Sequence, residues 1–123
     1  MTDILIRNDK DSVATLSLND LPANSLSMPM MGAIQNHLSS IDRDDSIRVV
    51  IIKSESDKIF SSGHNLKEVK DFLDKNDTES QIELFSTCSS MMKQIQGLSK
   101  PVIAQVRGIA TAAGAQLVAS CDL

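Results

Sequence analysis

Two short stretches of this 123-residue chain combine small residues with a helix start: Phe60-Ser61-Ser62-Gly63-His64-Asn65-Leu66 and Gly108-Ile109-Ala110-Thr111-Ala112-Ala113-Gly114-Ala115-Gln116. Small or absent side chains leave backbone N–H groups uncovered there, and such groups favour an anion or a developing oxyanion. Two loops of this kind facing one another would hold a thioester carbonyl from both sides. The same small residues also permit close helix packing. Residue types alone leave both readings open.

The side chains in and around these loops narrow the chemistry. His64 lies inside the first loop, whereas His37 sits on a helix beside Gln35 and Asn36 and reads as a surface residue. His64 is therefore the better candidate acid or base, although a loop histidine more often matters through its backbone, with its ring lining a pocket. Neither histidine is spaced with Asp or Glu as a ligand motif, so no metal is expected. Gly-x-Gly-x-x-Gly and Gly-Lys-Ser/Thr are absent, which argues against nucleotide triphosphates and dinucleotides. Ser61 and Ser62 precede Gly63 without forming the Gly-x-Ser-x-Gly elbow. Cys88, near Met91 and Met92, reads as core, as does Cys121; Asp122 reads as a structural cap or pairing group.

The elements that must position these loops alternate. Ile4 to Leu18 reads as two short strands around a turn at Asn8-Asp9-Lys10-Asp11. Ser27 is a candidate helix cap with Pro29 in the first turn, and Met30, Met31, Ile34, Leu38 and Ile41 follow at helical spacing. Val49-Val50-Ile51-Ile52 has the continuous apolar run of a strand covered on both faces. Lys70 to Ser80 reads as a mobile or variable polar segment. Ile82, Phe85, Met92 and Ile95 mark a helix reaching Gln96, with Gly97 as its stop. Pro101 opens a strand over Val102–Val106. The order is α/β with parallel pairing implied, without internal repeats. It stops at Leu123, where the next strand of an α/β layer is due, so residues 1–123 are expected to be the N-terminal portion of one domain.

Composition sets the outer limits. Hydrophobic residues make up 41% and charged residues 23%, a globular rather than a disordered balance. The net charge of -4 argues against gripping nucleic acid through bulk charge, and three Phe without Trp or Tyr make no stacking platform. No apolar run is long enough for a membrane span. Two cysteines are too few for a disulfide framework. With no transit-like N-terminus, a cytoplasmic location is expected, or the mitochondrial matrix if a presequence is missing.

These motifs together carry a resemblance. Asn24-Ser25-Leu26-Ser27, Arg48 through Ile52, Ser62-Gly63-His64-Asn65-Leu66-Lys67-Glu68, and Pro101 through Gly108 to Asp122 resemble the N-terminal half of the crotonase, or enoyl-CoA hydratase/isomerase, superfamily. The resemblance implies a crotonase-type spiral β-β-α fold, a homotrimer or homohexamer when full length, and an acyl-CoA thioester as substrate with no separate cofactor. It implies an oxyanion hole made by the backbone N–H groups of His64 and Ala113. Ser62, Gly63, Asn65, Leu66 and Gly114 are then substrate-binding positions, with adenine near the backbone of Ser62.

The departures from the family pattern bear on the reaction. Family hydratases carry a glutamate where this chain has Gln116, and use a second one beyond Leu123. An amide does not titrate near neutral pH, so Gln116 can orient a water or an acyl group but cannot exchange protons. Asn65 replaces a frequent Asp and caps a helix equally well. Ala112 and Ala113 replace frequent glycines, which restricts the backbone and narrows the pocket floor. The expected function is an acyl-CoA-binding protein of lipid metabolism, a hydratase-like lyase with Gln116 in place of the first glutamate. An inactive acyl-CoA binder or scaffold, and an isomerase, hydrolase or decarboxylase, are the alternatives; an interaction module unrelated to coenzyme A ranks below them.

Overall fold

The computed structural model describes residues 3–123. Its element order is β1 (Leu5–Lys10), β2 (Val13–Leu18), α1 (Met28–Asp42), β3 (Val49–Ser54), β4 (Ile59–Ser61), α2 (Leu66–Asp74), α3 (Thr78–Gly97), β5 (Val102–Ala104), β6 (Ile109–Ala110) and α4 (Ala113–Ser120). A four-stranded sheet has the order β1-β2-β3-β5, and β4 pairs with β6 in a separate two-stranded sheet. Among the described residues β1 and β2 pair antiparallel and the other strand pairs are parallel.

The first hairpin turns at Asp11-Ser12, not at Asn8–Asp11. Strand β1 continues through Lys10, which pairs with Val13, and both turn residues have positive φ, 52° and 65°. That is the twist a two-residue turn needs between right-twisted strands. The polar residues at 8–10 are tolerated because β1 is an edge strand, where charge discourages further pairing.

The register of the main sheet builds one face of the core. Ala14, Val50 and Val102 lie abreast, as do Leu16 and Ile52, and all five are fully buried. Val49 and Ile51 point the other way and are only half-buried. The apolar run of β3 is thus covered fully on one face and partly on the other. Helix α1 lays Met30, Met31, Ile34, Leu38 and Ile41 into this core. Ser27 caps it, its hydroxyl accepting from the Met30 N–H at 3.2 Å. Lys100 Nζ closes the other end by donating to the carbonyls of Ile41 and Asp44, where a cation suits the helix dipole.

Helix α3 differs from its expected pattern. Its buried stripe is Leu84, Cys88, Met91, Met92 and Ile95, whereas Ile82 and Phe85 are 64% and 51% exposed. A 20-residue helix with apolar residues on two sides buries only the stripe that joins the common core. Gly97 is the last residue of this helix rather than a left-handed stop beyond it. The polar segment 70–80 is mostly helix: α2 reaches Asp74, and Asp77 caps α3 by accepting from the Ser80 N–H at 3.0 Å. Its charges pair at i,i+4, Lys70 with Asp74 and Asp71 with Lys75, which is how a solvated helix face reads in sequence.

Strand β5 ends at Ala104, short of the expected Val106. Beyond α4 the chain runs beside β5. The Asp122 N–H donates to Val102 O and the Ala104 N–H to Leu123 O, both at 2.8 Å, while the Asp122 carboxylate accepts from the Val102 N–H.

Candidate functional site

The two small-residue loops meet because β4 and β6 are parallel. Each strand runs into its helix at the same end of the pair, β4 into α2 and β6 into α4, so the connecting loops lie side by side. The Thr111 N–H donates to Ser61 O at 3.1 Å and locks them together. Gly114, at the start of α4, presses directly onto β4. A Cβ there would lie 2.3 Å from Ser61 O, closer than any side chain tolerates. Gly114 is therefore a packing position, buried beneath the site.

A third segment clamps the first loop. The Ser62 N–H donates to Ala23 O and the Leu26 N–H to Gly63 O. Asn24, fully buried with φ of 47°, accepts from the Asp20 N–H and donates to Ser54 Oγ and Phe60 O. Ser61 Oγ donates back to Asn24 O at 2.8 Å. Asn24 is thus the polar hub that ties the 20–24 turn to β3 and β4. Its left-handed backbone suits asparagine, and the residue type in a turn was the available signal.

Two backbone nitrogens lie next to Gly63. In the first loop the Ser62 N–H is taken by Ala23 O and the Gly63 N–H by Ser61 Oγ, whereas the His64 N–H has no acceptor among the described residues. In the second, Gly114 and Ala115 both donate to Thr111 O, and the Ala113 N–H has no acceptor among them. A Cβ on Gly63 would lie 3.0 Å from the Ala113 nitrogen and 3.1 Å from the Ala112 methyl. The absent side chain of Gly63, whose φ is +91°, leaves the Ala113 donor uncovered beside the residue that precedes His64. Ala112 has φ of +50° and ψ of -126°, a conformation that glycine adopts easily and alanine does not.

A cavity of about 760 Å³ opens alongside, lined by Ser62, His64, Asn65, Leu66, Lys67 and Ala112 with the 20–25 segment. Asn65 caps α2, its Oδ1 accepting from the N–H groups of Lys67 and Glu68 at 3.0 and 3.2 Å. The His64 ring stands edge-on to Phe85, centroids 5.3 Å apart at 89°. Its Nδ1 is buried without a partner, as is Oε1 of Glu68, whose Oε2 accepts weakly from the Met28 N–H at 3.4 Å. Gln116 stands apart, exposed on α4 one turn beyond Ala113. Cys121 lies outside the cavity, its thiol pushed up to about 11 by burial and then by Asp122, and Cys88 is raised by burial. Neither is a thiolate near neutral pH. Among the described residues, no three His, Cys, Asp or Glu side chains converge as a metal site.

The model for the enoyl-CoA hydratase/isomerase family matches residues 8–123. The chain belongs to this family. Its sequence is 41% identical over 123 residues to the mitochondrial enoyl-CoA hydratase domain-containing protein 3 of Xenopus laevis, covering 99% of this chain and 40% of that protein. The crystal structure of human enoyl-CoA hydratase domain-containing protein 3 superposes with a TM-score of 0.91 at 36% identity, covering 98% of this chain and 47% of that one. An enoyl-CoA hydratase/isomerase family protein from Silicibacter pomeroyi does so with 0.84 at 38% identity, over 97% of this chain and 50% of that one. The α/β layers are those of the crotonase fold, and the chain spans less than half the length of the curated relatives it matches. In this family member the paired strands β4 and β6 carry the loops singled out from sequence, while the contacts of Asn24, Glu68 and Phe85 beside them come from the fold.

Proposed function

We propose that this chain supplies the acyl-CoA-holding half of a crotonase-family protein of lipid metabolism, a hydratase-like lyase that stabilises a thioester enolate. The observation that carries the reading is the pair of acceptor-free N–H groups, His64 and Ala113, set around Gly63 at the edge of the cavity. A thioester oxygen accepting from both would gain as negative charge develops on it, because the donors are fixed before reaction. Ser62, Asn65 and Leu66 then line the path of the ligand, and Gly63 and Gly114 act by leaving space. Gln116 has no proton to trade, so ordinary two-glutamate hydration is set aside, and its exposed amide would orient water or acyl group. Trimeric or hexameric assembly and a mitochondrial-matrix or cytoplasmic site of action belong to the same proposal.

A second reading, an acyl-CoA binder without turnover, is favoured by Gln116 itself. Calorimetric titration of the full chain with acetoacetyl-CoA tests the shared core of both. Micromolar affinity that is lost in Gly63→Ala supports the donor pair. A folded protein that does not bind refutes it. Turnover of crotonyl-CoA then separates the lyase from the binder, and hydration gained in Gln116→Glu would show the remaining machinery to be in place.

A further inference from the structure

Among the described residues, Asp11, Ser12, Asn24, Asn76 and Ala112 have positive φ without being glycine. The first four are polar residues of turns, where short polar side chains ease this conformation. Ala112 is the aliphatic exception, at φ 50° and ψ -126°, where glycine would carry no strain. Hydrogen bonds hold it there on both sides: the Thr111 N–H donates to Ser61 O, and Ala112 O accepts from the Gln116 N–H, each at 3.1 Å. Burial of the methyl does not offset the strain, because Ala112 is exposed and lines the cavity. A strained residue at the wall of a cavity points to a use for the strain.

The backbone angles place the methyl. In an L-residue the Cβ torsion about the Cα–C bond is offset from ψ by about 120°. At ψ of -126° the Cα–Cβ bond of Ala112 therefore nearly eclipses the bond to the Ala113 nitrogen. The N–H of a trans peptide points to the side of the preceding Cα, so the methyl lies beside the Ala113 N–H, one of the two proposed donors. From the first loop, a Cβ built on Gly63 would fall 3.1 Å from that methyl and 3.0 Å from that nitrogen. The methyl thus fills space that two bare backbones would leave open between the loops. Resting on the acyl-CoA reading above, we propose that the Ala112 methyl is a specificity-determining group that excludes acyl chains substituted at C2. A thioester oxygen on the Ala113 N–H comes against the methyl, and its carbonyl carbon carries sulfur on one flank and C2 on the other. The sulfur flank is common to every thioester. Substitution at C2, one bond from the carbonyl carbon, is what differs within reach. Straight chains fit, and 2-methyl chains meet the methyl.

Butyryl-CoA and isobutyryl-CoA are isomers that differ in carrying one carbon at the chain end or on C2, so calorimetric titration of the full chain with each isolates shape. The wild type should bind butyryl-CoA at least about tenfold more tightly, the ordinary scale for one misplaced methyl group in a pocket. Ala112→Gly should bring the two within about threefold of one another by tightening isobutyryl-CoA, with butyryl-CoA affinity unchanged. Glycine suits this backbone, so the variant stays folded and its urea midpoint should rise. A merely structural methyl predicts the raised midpoint with both affinities unchanged. Equal binding of the two thioesters by the wild type, or a ratio unaltered in Ala112→Gly, overturns the role of the methyl and leaves the acyl-CoA reading standing. Binding of neither by the folded wild type overturns both.

Discussion

Replacing Gly63 by alanine tests the donor pair at the point where it is most exposed to failure. At a φ of +91° any Cβ is strained, at a cost of about 1–2 kcal/mol. The added methyl would lie 3.0 Å from the Ala113 nitrogen and 3.1 Å from the Ala112 methyl, so both must yield by a few tenths of an ångström. Together these predict a stability loss of about 1–3 kcal/mol, readable as a lowered urea midpoint. The functional loss is separate and larger. On the proposed assignment, a methyl beside the Ala113 N–H would remove one oxyanion donor, which costs about 10²–10³ in rate. Gly32→Ala on α1 is the matched control, since nothing lies within 4 Å of its Cβ position, and it should gain about 0.5–1 kcal/mol of helix stability. Titration with acetoacetyl-CoA and crotonyl-CoA turnover, both on samples shown to be folded, decide the matter. If Gly63→Ala binds and turns over like the Gly32→Ala protein, the oxygen does not sit on Ala113 and the donor assignment is wrong.

Five further outcomes follow from the same structure. Gly114→Ala drives a methyl to 2.3 Å from Ser61 O, so α4 must lift from β4 and the urea midpoint should fall by the equivalent of about 1–3 kcal/mol or more. Asn24→Ala leaves Phe60 O and the Asp20 N–H short of a partner in a buried turn, a loss of about 2–3 kcal/mol by the same measurement. Ala112→Gly relieves a positive φ at the price of a freer unfolded chain, a net gain of about 1 kcal/mol in thermal or urea unfolding. Hydrogen bonds from Ser99, Ser46 and Ser80 hold Asp42, Asp44 and Asp77 below the usual carboxylate range. Their stabilisation is present above the unfolded value of about 4 and is lost as pH falls through the folded values, so the acid limb of a stability–pH curve should be shallower in Asp77→Asn. At the alkaline end the Cys121 thiol, raised to about 11, costs stability as pH climbs from the unfolded thiol value of about 8.5, and Cys121→Ala should flatten that fall.

Elements with one dominant physical cause were readable from sequence. The Ser27 cap with its Met30-Met31-Ile34-Leu38-Ile41 stripe is local chemistry plus periodicity, and α1 has both. The turn after β1 was misplaced because Asn8, Asp9 and Lys10 have turn-like composition, while the left-handed backbone at Asp11-Ser12 is fixed by strand twist that composition does not report. Helix α3 offered two apolar registers, and only tertiary packing selected the one through Leu84 and Cys88 over Ile82 and Phe85. The site divides in the same way. Gly63, Asn65 and Gly114 were legible because their roles depend on residue type: absence of a Cβ, or a side chain that caps. Asn24 and Glu68 have partners 30 and 40 residues away, and Phe85 stands on α3 against a histidine of the first loop; no local spacing encodes such contacts.

The site rests on different physics from the core beneath it. The large sheet and α1 are held by apolar burial, which is non-directional and tolerant of volume-conserving change. The proposed donors at His64 and Ala113 are backbone groups, so their aim would be set by Gly63, Ala112 and Gly114 and by the polar clamp through Asn24. Side-chain replacement at His64 or Ala113 leaves the donors in place, whereas a single methyl at Gly63 reaches one directly. A core substitution should therefore shift stability with ligand affinity following only through the folded fraction. Changes at the 61–63 and 112–114 contacts should alter affinity in protein that is fully folded, and that difference in coupling, rather than the size of any one loss, distinguishes a built oxyanion site from small residues that merely let two helices approach.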